Sequence, residues 1–512
     1  MATPARTIAD LMSTPVLTAE PTELISEAAA RMLEHRVGSV VVVDGGRPVG
    51  ILTEHDLVRF SAKGEDGPTK VVELMSPDPF TLGPDVEVVD AWNTIAEKGY
   101  RHIPVVDGAE LVGLISLTDL VAMAQIRSMG HPSLVEAPKG LEGVVVAETA
   151  VGDVRGQEGF YHYRHYNAVE LAGKRSLEDV WYLLFNGELP DGAQRAGFLD
   201  EVRPLSAIPD AVKPLLPDIA RAGGAPGPLD ALRTAMSAVS QALDMRPSMD
   251  LTADERRGDA LRICAVTPTL IMALHRLRNG LDPLEPRPDL GYSANYLYLL
   301  TGEVPDPDHA RAVEQYQIST IDHGFNASTF TARVVTSTGA DLGSATVAAI
   351  GALSGPLHGG APSRALDMLD AIGTPDKAEE WIRGAVNRGE RIMGFGHRVY
   401  KTDDPRSLML RGVAQRLGGD KAAFATQVEQ TVVDVLAELK PGRHLYANVE
   451  FYAGVVMDRC GLPRELFTPT FASSRVIGWC ANMLEQAADN RIIRPSARYV
   501  GPPPPQPVPD PA

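Results

Sequence analysis

The chain is predicted to be two-part: an N-terminal α/β pair of repeats followed by a mainly α-helical body. Three observations carry this. At 512 residues the chain exceeds what one hydrophobic core ordinarily organises. Its first quarter contains a gapless internal repeat, and from about residue 140 onward helical periodicity dominates while strand signals are sparse.

The repeat comes first. Leu11-Met12-Ser13 recurs as Leu74-Met75-Ser76, and Gly50-Ile51-Leu52-Thr53-Glu54-His55-Asp56-Leu57 recurs as Gly113-Leu114-Ile115-Ser116-Leu117-Thr118-Asp119-Leu120, each pair offset by 63. A constant offset across several matches marks duplication of one supersecondary unit. Within each copy an extended start precedes an amphipathic helix, with Leu24, Ala28, Met32 and Leu33 as its apolar positions in the first copy. The strand Ser39–Val43 follows, closed by the turn Asp44-Gly45-Gly46; a short strand around Ile51 then leads into a helix starting near Thr53. The second copy has Ile103-Pro104-Val105-Val106, a turn at Asp107-Gly108, then Leu114-Ile115. Neither copy has a full sheet of its own, so the two are expected to pack on one another.

This pattern resembles a tandem of cystathionine-β-synthase (CBS) domains, with boundaries at 7–63 and 70–126. The resemblance implies a cleft that binds adenine nucleotides (AMP, ADP or ATP), with Thr53, Asp56, Ser116 and Asp119 at the phosphate- and ribose-contacting places. A hydroxyl at a helix N-terminus suits phosphate, and a carboxylate three residues on can accept from ribose hydroxyls. The same Thr-x-x-Asp spacing also reads as a helix capping box, needed for stability whether or not anything binds.

Residues 127–139, with Gly130, Pro132 and Pro138, read as a linker. The body covers 140–500, and 501–512 is a proline-rich tail expected to be disordered. In the body, Phe424, Val428, Val432, Val435 and Leu439 mark an amphipathic helix, and Ala- and Leu-rich helical segments cover 343–353, 364–371 and 471–489. Lys+Arg 48 against Asp+Glu 66 gives a net charge of −18, which argues against a nucleic-acid surface. Cys264, Cys460 and Cys480 show no CxxC spacing and form no disulfide framework. No uninterrupted apolar run approaches the roughly 20 residues of a membrane helix, and the first residues lack a signal-peptide core, so a cytoplasmic location is expected.

Chemistry is concentrated in four segments: His323-Gly-Phe-Asn326-Ala-Ser-Thr-Phe-Thr-Ala-Arg333; Gly355-Pro-Leu-His358-Gly-Gly-Ala; Gly394-Phe-Gly-His397-Arg-Val-Tyr-Lys401-Thr-Asp-Asp-Pro-Arg406; and Asn448-Val-Glu450-Phe-Tyr. His358 sits among glycines that let a substrate approach, just ahead of a helix from Pro362 or Ser363. A helix N-terminus disfavours imidazolium and leaves a neutral ring able to polarise a carbonyl. His397 lies in a second glycine-rich bend. Arg406, Arg475 and Arg494 suit bidentate capture of small dicarboxylates, and Glu450 suits a general base. There is no HExxH or short His/Cys cluster for a metal, and Gly223–Gly227 lacks the Lys-Ser/Thr of a phosphate-binding loop. Arg333 and Arg364 read as surface or ion-pair arginines.

In order and internal spacing these segments, with Gly187-Glu-Leu-Pro190 and the closing Asn490-Arg-Ile-Ile-Arg494-Pro495, resemble the citrate synthase family over about 140–500. The resemblance implies a mainly helical fold with a large and a small domain, a homodimer with shared active sites, and no required cofactor. It implies condensation of acetyl-CoA with oxaloacetate and water to citrate and CoA, or of propionyl-CoA to 2-methylcitrate. His358, His397 and Glu450 would be catalytic. His323, Arg406 and Arg475 would hold oxaloacetate, with Arg494 reaching in from a neighbouring subunit and Lys401 facing CoA phosphates. Two departures stand out. The family more commonly carries Asp at the place of Glu450, and Pro362-Ser363-Arg364 replaces the commoner Asn-Glu. A non-catalytic sensor, impaired at Glu450, and an enzyme whose CBS pair serves only as a dimerisation element are the rival readings.

Overall fold

The computed structural model describes residues 7–35, 37–62, 68–98, 100–116, 137–222, 228–359, 361–396, 400, 402–440, 445–502 and 508. The chain divides into two compact units, Met1–Val144 and Val145–Ala512, each described by itself. Residues 117–136, which hold Asp119 and most of the 127–139 linker, lie outside the described residues, as do 503–507 and 509–512 of the tail.

In the first unit the order is β1 (Thr18–Ala19), α1 (Ile25–His35), β2 (Ser39–Asp44), β3 (Arg47–Thr53), α2 (Glu54–Ala62), β4 (Ser76–Pro77), α3 (Val88–Lys98), β5 (His102–Asp107) and β6 (Glu110–Ser116). β1 runs parallel to β2; β2, β3 and β4 are antiparallel, and β5–β6 is a separate antiparallel hairpin. Helix α1 buries Ile25, Ala28 and Met32, whereas Leu33, expected on the same face, is 81% exposed. Adjacent residues on a helix stand 100° apart, so Met32 and Leu33 cannot share a narrow apolar stripe.

The repeats interlock. The leading Leu-Met-Ser segment of each copy crosses to the other copy's hairpin: Ser13 bridges Leu114 of β6, and Ser76 pairs with Ile51 of β3. Met12 lies on Gly113 and Met75 on Gly50, so closely that a Cβ at either glycine would come within 2.2 or 2.3 Å of the methionine sulfur. The repeated Met and the repeated Gly are two halves of one contact.

The second unit opens with a small antiparallel sheet, β7 (Gly152–Arg155), β8 (Phe160–Tyr163) and β9 (Tyr166–Asn167); among the described residues its remaining elements are helical. The helices used below are α4 (Leu177–Asn186), α5 (Ala253–Arg278), α6 (Pro307–Thr320), α7 (Ala327–Ser337), α8 (Leu342–Leu353), α9 (Ala361–Ile372), α10 (Pro405–Leu417), α11 (Asp420–Leu439), α12 (Val449–Arg459) and α13 (Phe467–Ala488). The apolar spacing read at 424–439 is α11, with Val428, Val432 and Val435 buried.

Helix α5 is long and apolar enough to cross a membrane by length and composition, but 83% of its most apolar window is buried inside the unit. It is the core helix against which α13 and α8 pack. Tyr292 ties the two longest helices together, its hydroxyl donating within reach of Cys264 O (3.3 Å) and Ser473 O (2.5 Å).

The approach of α13 to the segment after α6 depends on Gly478. A Cβ there would fall 2.0 Å from Ile321 O and 2.9 Å from Ile321 C. The obstacle is backbone, so Gly478→Ala is expected to force α13 outward and destabilise the protein by about 1–3 kcal/mol, read as a lowered midpoint in thermal unfolding. Arg475 lies one turn away on the same helix, so the same variant should also displace its guanidinium.

Candidate active site

The site forms where the ends of α6, α10 and α12 and the middle of α13 meet the turn before α7 and strand β8. Arg475, on α13, is 2% exposed, and its Nε donates to Thr320 O at 2.7 Å. Its guanidinium lies 4.6 Å from the Phe471 ring centroid. Burial lowers its pKa and the nearby Asp322 carboxyl opposes that. Asp322, 3% exposed, is itself pushed up to about 6 by burial, with Arg475 pulling the other way.

Arg406 is held differently. Asp404 caps α10, with Pro405 at the first helical position, where its missing N–H is harmless. The Asp404 carboxylate then receives Arg406 Nε on Oδ1 (3.0 Å) and Nη2 on Oδ2 (2.8 Å). The same Oδ2 accepts from Val449 N at 3.0 Å. One buried carboxylate thus joins the guanidinium to the N-terminus of α12, which carries Glu450. Burial draws the Arg406 pKa down, and Asp404 more than restores it.

Asn448 pins α12 from the other side. Its Oδ1 accepts from Glu450 N (3.1 Å), its Nδ2 donates to Gly396 O (2.9 Å), and its N–H donates to Gly394 O (2.8 Å). Burial pushes the Glu450 carboxyl up to about 7; Arg406 opposes the shift and Asp404 adds to it.

His358 lies just beyond α8. Its Nε2 is 2.8 Å from Ser328 Oγ, which also receives Trp479 Nε1 (3.1 Å) and stands 2.9 Å from Asn326 Oδ1. Burial, reinforced by the Arg475 charge, lowers the His358 pKa to about 4, so the ring is neutral at physiological pH. Ser328 fixes the Nε2 edge, leaving Nδ1 as the edge open to other partners. Gly359 is required here, because a Cβ would lie 2.4 Å from Leu353 O.

His323 Nε2 is 2.9 Å from Tyr400 Oη. The His323 ring sits 5.5 Å from both the Tyr400 and the Tyr161 ring centroids, and Arg406 lies 5.7 and 5.9 Å over the same two tyrosines. The tyrosines thus flank a histidine and an arginine together. Tyr400→Phe keeps the ring and removes the hydroxyl. Loss of its bond to His323 is worth about 1 kcal/mol, so the variant should hold a small anionic substrate about fivefold more weakly, read as a raised KM in steady-state kinetics.

The structure therefore brings together His323, His358, Arg406, Arg475 and Glu450. His397 and Lys401 lie outside the described residues. Arg494 is exposed on the segment beyond α13; its neighbour Ile493 donates to Ser337 Oγ at 3.0 Å, at the opposite end of α7 from Asn326 and Ser328. Sequence reading passed over Asp404, Ser328, Tyr400 and Tyr161. The first three lie inside the segments it singled out, and the Asp-Pro-Arg order already signalled a helix cap. Of the surface and ion-pair readings of Arg333, the structure shows the second: it is 3% exposed and bonded to Gln486, Asn482 and Glu485. It is thus a buried ion-pair residue. Among the described residues no group of three or more His, Cys, Asp and Glu is placed to hold a metal ion.

In the first unit, Thr53 and Asp56 bond to each other. Thr53 N and Oγ1 donate to Asp56 Oδ2 at 3.0 and 2.6 Å, and Asp56 N returns to Thr53 Oγ1 at 3.4 Å, a reciprocal cap on α2. Ser116 ends β6 opposite His102, and Asp119 lies outside the described residues.

Two buried arginines, a neutral histidine and a carboxyl near pH 7, set in a mainly helical body, define an enzyme that binds a small polyanion and moves a proton beside it. The family model for the citrate synthase C-terminal domain matches residues 140–496, and CBS-domain models match 8–63 and 71–125. The chain is 40% identical over 364 residues to a citrate synthase of Deinococcus radiodurans, covering 71% of this chain and 95% of that one. It is also 40% identical over 390 residues to a 2-methylcitrate synthase of Mycobacterium tuberculosis, covering 74% and 95%. The solved ternary complex of Thermoplasma acidophilum citrate synthase with carboxymethyl coenzyme A and oxaloacetate superposes with a TM-score of 0.67 at 29% identity, covering 73% of this chain and 98% of that one. The chain belongs to the citrate synthase family, with a tandem CBS pair at its N-terminus, and is an acyltransferase of citrate or 2-methylcitrate synthase type.

Proposed function

We propose that the enzyme condenses acetyl-CoA with oxaloacetate and water to give citrate and CoA, and that adenine nucleotide at the CBS pair modulates it. The observation that carries the catalytic part is the pairing of a neutral His358, pKa about 4, with a Glu450 carboxyl near 7 around Arg406 and Arg475. One group is kept uncharged to donate a hydrogen bond while the other is tuned to accept a proton near neutral pH.

Glu450 removes a proton from the carbon alpha to the thioester, and the electron pair moves onto the thioester oxygen, where His358 donates a hydrogen bond. That carbon attacks the ketone carbon of oxaloacetate, the C=O π pair moves onto the ketone oxygen, and the resulting alkoxide, still bonded to carbon, takes a proton to become the product hydroxyl. Water then cleaves the thioester and CoA departs as the thiol. His323, Arg406 and Arg475 hold the dicarboxylate. By the family motif His397 polarises the ketone, Lys401 faces CoA phosphates, and Arg494 completes the site of a second copy in a homodimer. A cytoplasmic location accords with substrates of central metabolism.

The 40% identity to a 2-methylcitrate synthase favours propionyl-CoA as the second reading. A pocket separates acetyl from propionyl by one methylene, worth about 1–3 kcal/mol. CoA-thiol release with each donor, with and without AMP and ATP, tests the proposal. A higher kcat/KM for acetyl-CoA and a rate that responds to nucleotide support it. Preference for propionyl-CoA installs the second reading, and indifference to nucleotide removes the regulatory part.

A further inference from the structure

The two buried arginines of the site are balanced in different ways. Arg406 is in direct contact with its carboxylate, Asp404. Among the described residues, the only hydrogen bond of Arg475 runs from Nε to Thr320 O. The carboxyl whose charge acts on it most strongly, Asp322, stands outside ion-pairing distance. A guanidinium carries five N–H donors, so the Nη edge of Arg475 is left for an anion.

The Asp322 carboxyl is held in place by other groups. It accepts from the N–H groups of His323 and Gly324, which fixes the turn that presents the His323 ring, and from Asn482 Nδ2 at 3.4 Å. An amide is nearly symmetric in shape, so Asn482 could turn either its NH2 group or its oxygen toward Asp322. Arg333 decides between them. Its Nη1 donates to Asn482 Oδ1 at 3.1 Å, and a guanidinium, having no acceptor, can face only the oxygen. The NH2 group is thereby directed to Asp322 and to Gly478 O, 2.9 Å away. Arg333 is itself tethered, donating also to Gln486 Oε1 (3.1 Å), Glu485 Oε2 (2.7 Å) and Glu148 O (3.3 Å). Its guanidinium lies 5.5 Å from the ring centroid of Phe325, in the same turn as His323. Arg333, Asn482 and Asp322 are each 3% exposed, so water does not take the place of any of them.

We propose that Arg333 and Asn482 are positioning residues for dicarboxylate binding: Arg333 orients the Asn482 amide, the amide holds the Asp322 carboxylate, and Asp322 sets His323 and balances Arg475 without covering it. This deepens the reading of oxaloacetate as the substrate held by His323 and Arg475, and rests on it.

Isothermal titration of the full chain with oxaloacetate, beside steady-state kinetics, tests it with two variants that leave the net charge unchanged. Asn482→Leu removes the amide at similar size and should weaken oxaloacetate binding at least about tenfold, the worth of one hydrogen bond to a charged group. Arg333→Lys keeps the charge but replaces the fork by a point charge that follows Glu485. The amide is then free to turn, and binding should weaken at least about fivefold. In both variants the KM for acyl-CoA should stay at the wild-type value, which a loss of helix packing alone would not ensure. Circular dichroism checks that each is folded, and Arg333→Lys carries the test if Asn482→Leu does not fold. Wild-type affinity for oxaloacetate in either folded variant, or a rise in both KM values together, would overturn the positioning role and leave the substrate reading standing. A wild type that does not bind oxaloacetate would overturn both.

Discussion

Glu450→Gln is expected to lower kcat for CoA release by about 100- to 10,000-fold, the usual worth of a general base, with little change in the KM for oxaloacetate. The carboxyl is pushed up to about 7 by burial, and a raised carboxyl pKa means the proton-accepting form is lost as pH falls through it. In the wild type kcat/KM should therefore fall about tenfold per pH unit below about 7, and Glu450→Gln should lose that limb. Shortening the side chain should also be harmful. Helix α12 begins on hydrogen bonds from Val449 N to Asp404 and from Glu450 N to Asn448, so its backbone cannot advance to compensate. Glu450→Asp withdraws the carboxylate by about 1 Å, a displacement that costs about 100-fold. An Asp variant faster than the wild type would mean that Glu450 is a damaged base rather than one the site is built around.

Asp404→Ala is expected to destabilise the protein by about 3–5 kcal/mol, because it strands a buried guanidinium without its counter-charge. The Asp404 and Arg406 side chains are 1% and 4% exposed, so water cannot take the place of the carboxylate. The functional loss should be as large. Arg406 loses its two bonds to Asp404, and α12 loses the anchor at Val449 N. Asp404→Asn separates the two effects: it keeps the size of the side chain and an acceptor oxygen but removes the charge. It should raise the KM for oxaloacetate while retaining more stability than the alanine variant, as thermal unfolding and steady-state kinetics on the same preparations will show. An Asn variant with wild-type KM would refute the positioning role.

Much of this was legible in the sequence, and the reasons are physical. The repeat, its two hairpins and the helix at 424–439 are written in local periodicity, which is set by backbone geometry. The histidine and arginine segments stood out because several chemically capable side chains were gathered among glycines. What stayed hidden was tertiary. Nothing in the spacing of Asp404 and Val449 says that they meet, although Asp-Pro marked a cap. Tyr161 sits on a short strand, β8, far from the other segments, and reaches His323 only through the fold. Thr53-x-x-Asp56 carried two meanings from sequence; its hydrogen bonds form the cap, which is compatible with either. Leu33 met the helical pattern and still faces solvent, because a periodic match does not state how wide the buried stripe is.

The most direct test of the whole account is single-turnover release of CoA thiol from acetyl-CoA by the full chain, with and without oxaloacetate, beside Glu450→Gln. The account predicts release that requires oxaloacetate and is lost in the variant, while the variant still binds oxaloacetate. Release that proceeds equally without oxaloacetate, or that survives in Glu450→Gln, would contradict it.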